Sequence, residues 1–321
     1  MRKSKQGLIT RRDFIRGTAL TTLGLAMGLT PVAFSQKKPP TVAKKTKVVL
    51  IRDENVVTEY YELDKEVLAR MVGEGMCELF GTAKFVEPWE MLFTPEDVVG
   101  IKANMMMLPT SRELLEILVD NLLAVGVKDD NIYIWDRDQI GQGKEGVQKR
   151  LKRMGYDSDH LNQVVKKCTA LINVPGLKTH WLSGVALSIK NWCGAIDNAS
   201  SYHTEDCCSK LGLLLRKPDI SSKTRLIIID ALRGLFHGGP EVDPQYVWNY
   251  QGLLLGIDHV AVDTVALKII QAKRDSHLGK RWHLFPPPTH IALADTKYHK
   301  GTSDLNKIDI VKLGWQKDIL I

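Results

Sequence analysis

Ferredoxin-type cysteine spacing is missing from this chain of 321 residues, whose five cysteines stand at 77, 168, 193, 207 and 208 with no C-x-x-C pair. That argues against an iron–sulfur cluster held by this chain alone. The count is odd, and the adjacent Cys207 and Cys208 cannot close on each other without strain. Also missing are G-x-S-x-G, a Walker loop and H-E-x-x-H, so no recognised nucleophile, phosphate-loop or zinc-protease motif carries the chemistry. No basic stripe with interleaved aromatics is present, which excludes nucleic acid as the expected partner.

The net charge of +7 is concentrated at the start. Thr10-Arg11-Arg12-Asp13-Phe14-Ile15-Arg16 matches the twin-arginine export pattern. A moderately apolar stretch from Gly17 to Phe34 follows, and Ala33 and Ser35 are small residues placed for cleavage before Gln36. Residues 1–35 are therefore expected to be a signal peptide, read by the twin-arginine machinery and delivering a periplasmic or extracytoplasmic protein. The protein would be membrane-anchored if the signal were retained, and has no expected span after cleavage. Six basic residues and one acid leave with the signal, so the charge of the remaining chain falls to +2. Twin-arginine export carries proteins already folded, often around a cofactor. Residues 36–47, QKKPPTVAKKTK, are polar, basic and proline-bearing, which reads as a linker.

From Val48 to Ile321 the pattern predicts one large α/β domain, a mostly parallel sheet with helices on both faces. VVLIRD reads as a strand, Glu66 to Phe80 as an amphipathic helix, and VVGIKAN as a strand with Lys102 and Asn104 just past its end. The methionines at 105–107 read as flexible loop packing. Ser111 caps a helix with leucines at helical spacing, Gly126 ends it, and NIYIWDRD is a strand with Asp136 at its end. Lys144 to Met154 is expected to be helical. Short alternations of this kind favour parallel pairing with crossover helices.

The densest chemistry lies between Leu171 and Ile196. LINV predicts a buried strand stopped by Pro175-Gly176. Lys178 and His180 would then sit past a strand end, the rim where open α/β sheets bind ligands. Ser183 is placed to cap a helix carrying Lys190 and Asn191, with Gly194 closing it. A free helix N-terminus beside two lysines would suit an anion. Further on, TRLIIID is a strand ending at Asp230. Asp258 is an N-cap candidate for the helix VAVDTVALKII, within which the carboxylate of Asp263 must be paired or bind a ligand.

VPGLKTH followed by GVALSIKNWCG resembles the signature of the domain-of-unknown-function 362 family, in which Pro-x-x-Lys-x-His leads into Gly-Val-x-Leu-x-x-Lys-Asn-x-x-Gly. Lys102-x-Asn104, the Asp230-Ala231 segment with Gly238-Gly239-Pro240, and Gly256-x-Asp258-x-Val260-Ala261-x-Asp263 extend the likeness over roughly residues 48–270. The family has no settled activity, so the resemblance implies the fold class and the site rather than a reaction. Over a shorter spacing, His180 and Lys190 with their glycines are similar to a stretch of lactate racemases, where such residues hold a nickel-pincer cofactor. A clear second cofactor-histidine segment is missing here.

Taken together, His180, Lys178, Lys190 and Asp230 are the catalytic candidates, and Lys102, Asn104, Asp136, Asn191 and Asp263 the ligand-binding ones. Their mixture suits an anionic small molecule, with His180 or a carboxylate as general base and a lysine as clamp. Carboxylates near His180 could also take a divalent metal. His203, Cys207 and Cys208 are weaker metal candidates, His203 and Cys207 sharing a face if the segment is helical. The expected function is a cofactor- or metal-dependent exported enzyme. The alternative is a non-catalytic cofactor-carrying or maturation protein that docks with a redox partner.

Overall fold

The structure is a computed structural model that describes residues 45–60, 62–149, 152–204 and 206–321. The expected signal peptide and most of the expected linker lie outside them. The first strand, β1 (Thr46–Arg52), begins two residues ahead of the apolar run, because Thr46 and Lys47 continue the ladder with the last strand. Helix α1 (Lys65–Phe80) starts where the Asp64 side chain accepts the backbone N–H groups of Glu66 and Val67, and stops at Gly81 in left-handed conformation (φ 71°). A short α2 (Glu87–Leu92) leads to β2 (Val99–Ala103), α3 (Arg112–Ala124) and β3 (Ile132–Asp136).

After β3 the chain departs from the expected helix. A two-residue turn with Arg137 at φ 56° folds it back into β4 (Gln139–Gln142), and only Gly143–Gln148 (α4) is helical before β5 (Lys152–Arg153). Gly143 and Gly146 supply little helix propensity, and Lys149 is already extended. Then come α5 (Gln163–Lys167), β6 (Ala170–Val174), β7 (Gly176–His180), β8 (Gly184–Ala186), α6 (Ser188–Asn191) and α7 (Pro218–Ser221). The C-terminal part holds β9 (Thr224–Leu235), β10 (Val247–Gly256), α8 (His259–Leu278), α9 (Thr289–Thr296) and β11 (Ile308–Gly314).

The sheet runs β11-β1-β10-β9-β6-β2-β3-β4-β5, with β7 and β8 attached beside β9. Its centre, β9-β6-β2-β3, is parallel, and so is β11 with β1. Pairs β1/β10, β10/β9, β3/β4 and β4/β5 are antiparallel. The sheet is therefore mixed, not mostly parallel. The reason is connection length: parallel neighbours need a crossover of about a dozen residues or more, usually a helix. Neither the turn after β3 nor the irregular stretch between β9 and β10 supplies one.

Helices do cover both faces. Alternate β1 side chains enter different cores: Val48 and Leu50 pack with α8 residues such as Val262, Val265 and Ile269, whereas Val49 and Ile51 pack with Leu68 and Met71 of α1 and Leu114 and Leu118 of α3. The described residues form a single α/β domain, and none of their helices is long and apolar enough to cross a membrane.

Candidate functional site

The C-terminal ends of β2, β3 and β6 open on one rim, and the segment after β6 folds over it. Pro175 ends β6 by removing a ladder donor. The chain does not leave the sheet there: Gly176 pairs with Asp230, and Gly176–His180 forms β7 beside β9. Lys178 and His180 therefore lie within a strand, not past one. Ser183 caps no helix; its hydroxyl donates to the Val185 carbonyl (2.8 Å) inside the β7–β8 hairpin. Gly184 takes φ 75°, and a side chain there would collide with the Pro286 carbonyl.

Helix α6 is a single turn, and its N-terminus is already occupied. Asp263 on α8 accepts the backbone N–H groups of Ser188 (2.8 Å) and Ile189 (2.9 Å), one on each carboxylate oxygen. The same corner is bolted by His259, whose Nε2 accepts from Trp192 Nε1 (3.3 Å) while its Nδ1 meets Ser188 Oγ (3.0 Å). Asp263 is thus a buried cap that does not face the pocket. The expected anion site at a free helix N-terminus is not there.

What faces the pocket is the far side of this turn. A pocket of about 120 Å³ is lined by Asn104, Asp136, Lys178, His180, Lys190, Asn191, Cys193 and His203, with Arg137 at its edge. Lys102 lies beneath the floor. Its ammonium donates to Asp136 Oδ1 (2.8 Å), the Ala103 carbonyl (2.7 Å) and Asn191 Oδ1 (3.1 Å). Asn191 Nδ2 in turn donates to Asn173 Oδ1 (2.7 Å), tying α6 to β6. Gly194 is obligatory at this point, since a Cβ would run into Asp136 Oδ1 and the Lys102 side chain.

Lys178 has three acceptors: Met106 O (2.7 Å), Asn104 Oδ1 (3.0 Å) and Met107 O (3.1 Å). Met105 packs against the core as expected, whereas Met106 and Met107, 43% and 47% exposed, contribute carbonyls here. Lys190 has a different environment, with Nζ 2.7 Å from His203 Nε2. The His180 ring lies parallel to His203 (centroids 5.8 Å, 4°) and to Trp181 (6.2 Å, 10°), and its Nδ1 accepts the Leu182 N–H (3.1 Å).

Burial dominates the electrostatics. It lowers the Lys178 ammonium to about 7, with Asp136 opposing and Lys190 and Lys102 adding to the drop. Lys190 and Lys102 are pushed down for the same reason. Burial with nearby Lys190 takes His180 down to about 2, and burial takes His203 to about 4. At about 2, the His180 imidazole does not serve as a general base near neutral pH. His180 is therefore a neutral, stacked wall, not the base expected from its type.

Asp230 stands elsewhere. It occurs in the middle of β9, which continues because β7 and β10 extend its ladders on either side. Its carboxylate receives the backbone N–H (2.8 Å) and hydroxyl of Ser111 in a separate cavity on the other side of Gly176. This interaction also takes the Ser111 side chain away from capping α3. The metal candidates do not assemble: Cys207 and Cys208 adopt φ 59° and 58°, which breaks the helical spacing with His203. Among the described residues no three of His, Cys, Asp and Glu gather to hold a metal ion. Arg137 and His259 were not anticipated, although Arg137 stands between the two acids of IYIWDRD.

Residues 138–268 match the model of a family described as Domain of unknown function (DUF362). This span holds Lys178, His180, Lys190, Asn191, Asp230 and Asp263; Lys102, Asn104 and Asp136 precede it. No curated protein and no solved structure matches the chain.

Proposed function

We propose that this pocket binds a small anion and performs proton-transfer chemistry on it, in a protein that works outside the cytoplasm. One observation carries the reading: Lys178 is buried in the pocket wall, donates to three neutral acceptors and forms no ion pair with a carboxylate among the described residues. Burying a cation without a counter-charge is costly, and an anionic ligand supplies the missing charge. Arg137 adds a second positive group at the edge, against the single carboxylate of Asp136, which Lys102 already engages. With room for about 120 Å³, the pocket suits a carboxylate or phosphate of a few heavy atoms. Burial also lowers Lys190, and with a single partner at its Nζ that group can give and take a proton, which favours an enzyme over a passive carrier. The donor set offers no metal cage, so the proposal includes no resident metal.

The test is thermal stabilisation by lactate, phosphate and similar anions. Lys178→Met is expected to weaken binding by about 10- to 100-fold, the loss of one buried positive charge beside the anion. Affinity of the unaltered protein should fall as pH rises through about 7, because Lys178 then sheds the proton that attracts the anion. Unchanged affinity in the variant, or no stabilisation by any anion, would sink the reading. Export is tested separately. Changing Arg11 and Arg12 to lysine should leave folded protein in the cytoplasm, and normal export of that variant would reject the twin-arginine route.

A further inference from the structure

We infer that Lys190 is a nucleophile that forms an iminium with the carbonyl group of a small oxo-carboxylate, whose carboxylate lies in the positive field of Lys178 and Arg137. The inference rests on the anion-binding reading and specifies its substrate class.

The three lysines of the site differ in how their ammonium protons are used. Lys102 and Lys178 each donate to three acceptors, a number that saturates an ammonium and leaves no lone pair to attack. Among the described residues Lys190 meets one partner only, and that partner is an imidazole nitrogen, His203 Nε2 at 2.7 Å. Lys190 lines the pocket and is buried, 8% exposed. A desolvated lysine beside other cations is kept as the free amine, the form that adds to carbonyls. Burial lowers Lys190 most, Arg137 adds to the drop, and Lys178 is close enough for the two lysines to repel.

The atoms balance without a further reactant. The Nζ lone pair forms a bond to the carbonyl carbon, and the π pair moves to oxygen. A proton passes from nitrogen to that oxygen through His203 Nε2, whose low proton affinity lets it relay the proton without retaining it. One further proton from solvent allows the oxygen to leave as water, giving the iminium. Lys178, tied down on three sides, then supplies a fixed positive charge, whereas Lys190, with one partner, is free to attack.

Borohydride trapping tests this on the full protein, with pyruvate as the probe and lactate as its carbonyl-free counterpart. Reduction of the iminium should leave Lys190 heavier by one pyruvate less an oxygen atom, located by peptide mass spectrometry. Lys190→Arg should abolish the adduct. His203→Gln, which keeps an acceptor but cannot relay a proton, should slow trapping about tenfold. If lactate and pyruvate both stabilise the protein yet no adduct forms, or adducts are spread over exposed lysines, the nucleophile is wrong and the anion site stands. If neither stabilises it and nothing is trapped, both inferences fall.

Discussion

Asp263→Ala is expected to cost about 3–4 kcal/mol of stability, because it removes a buried acceptor of two backbone N–H groups and leaves a cavity in its place. The carboxylate is fully buried, with Ser188 N and Ile189 N at 2.8 and 2.9 Å. Neither donor has water to turn to. The consequence reaches the pocket, because α6 carries Lys190 and Asn191 and is only four residues long. A turn that short has little stability of its own and is held by the groups at its ends. Stabilisation by anions should therefore disappear together with the lost stability. Leu115→Ala provides the control, since Leu115 lies in the core on the opposite face of the sheet and should lose a similar amount while keeping the anion response. Urea unfolding of the two variants with and without phosphate separates the cases. An Asp263→Ala protein that still responds to phosphate like the Leu115 variant would show that α6 does not depend on its cap. Asp263→Asn should fall between, because one amide oxygen still accepts while the amide NH₂ faces the second N–H.

How much of this was legible in sequence depends on how far away the deciding partner lies. The apolar run of β6 and its stop at Pro175 are local, and so is the Asp258 cap, whose side chain accepts Val260 N and Ala261 N. Lys102 at the end of β2 and Asp136 at the end of β3 could be placed on one rim, because parallel neighbours put equivalent ends together. Asp263 was half legible. A carboxylate on an apolar helix face demands a partner, but the partner is a turn 75 residues earlier, which no spacing rule reveals.

The β7–β8 hairpin was misread for a similar reason. Ser183-Gly184 looks like a helix start, whereas Gly184 is fixed at positive φ by its approach to Pro286, about a hundred residues on. Asp230 looked like a strand end because the apolar run stops there. The ladder continues through it, since Pro175 O accepts the Asp230 N–H where β7 takes over from β6. The residue types around Lys178 and Lys190 were visible; their different hydrogen bonding, on which the chemistry turns, was not.

Part of the acid sensitivity should trace to His290, alongside His180, His203 and His259, which burial also holds neutral. His290 on α9 is fully buried, and neither ring nitrogen has a partner among the described residues. Burial, with nearby Lys190 adding to it, lowers its pKa from 6.5 to about 3. The sign follows from proton counting. Below 6.5 the unfolded chain binds a proton that the folded one refuses until about pH 3, so stability falls as pH falls through that window. At pH 5 the loss from this one group is about 2 kcal/mol. Leaving the neutral ring buried without hydrogen bonds costs about 2 kcal/mol more at any pH. His290→Met, of similar volume and adaptable shape, removes both terms. The variant is therefore expected to be more stable by about 2 kcal/mol near pH 7 and about 4 kcal/mol near pH 5. Taking the difference matters, because Asp263 is raised to about 7 and Lys178 lowered to about 7, and both titrate across part of the same range in wild type and variant alike. Their contributions cancel in the comparison. Urea midpoints at the two pH values decide it. A variant less stable than wild type at both would mean that the imidazole nitrogens are satisfied, and a gain that did not grow on acidification would mean that His290 is not the group held neutral.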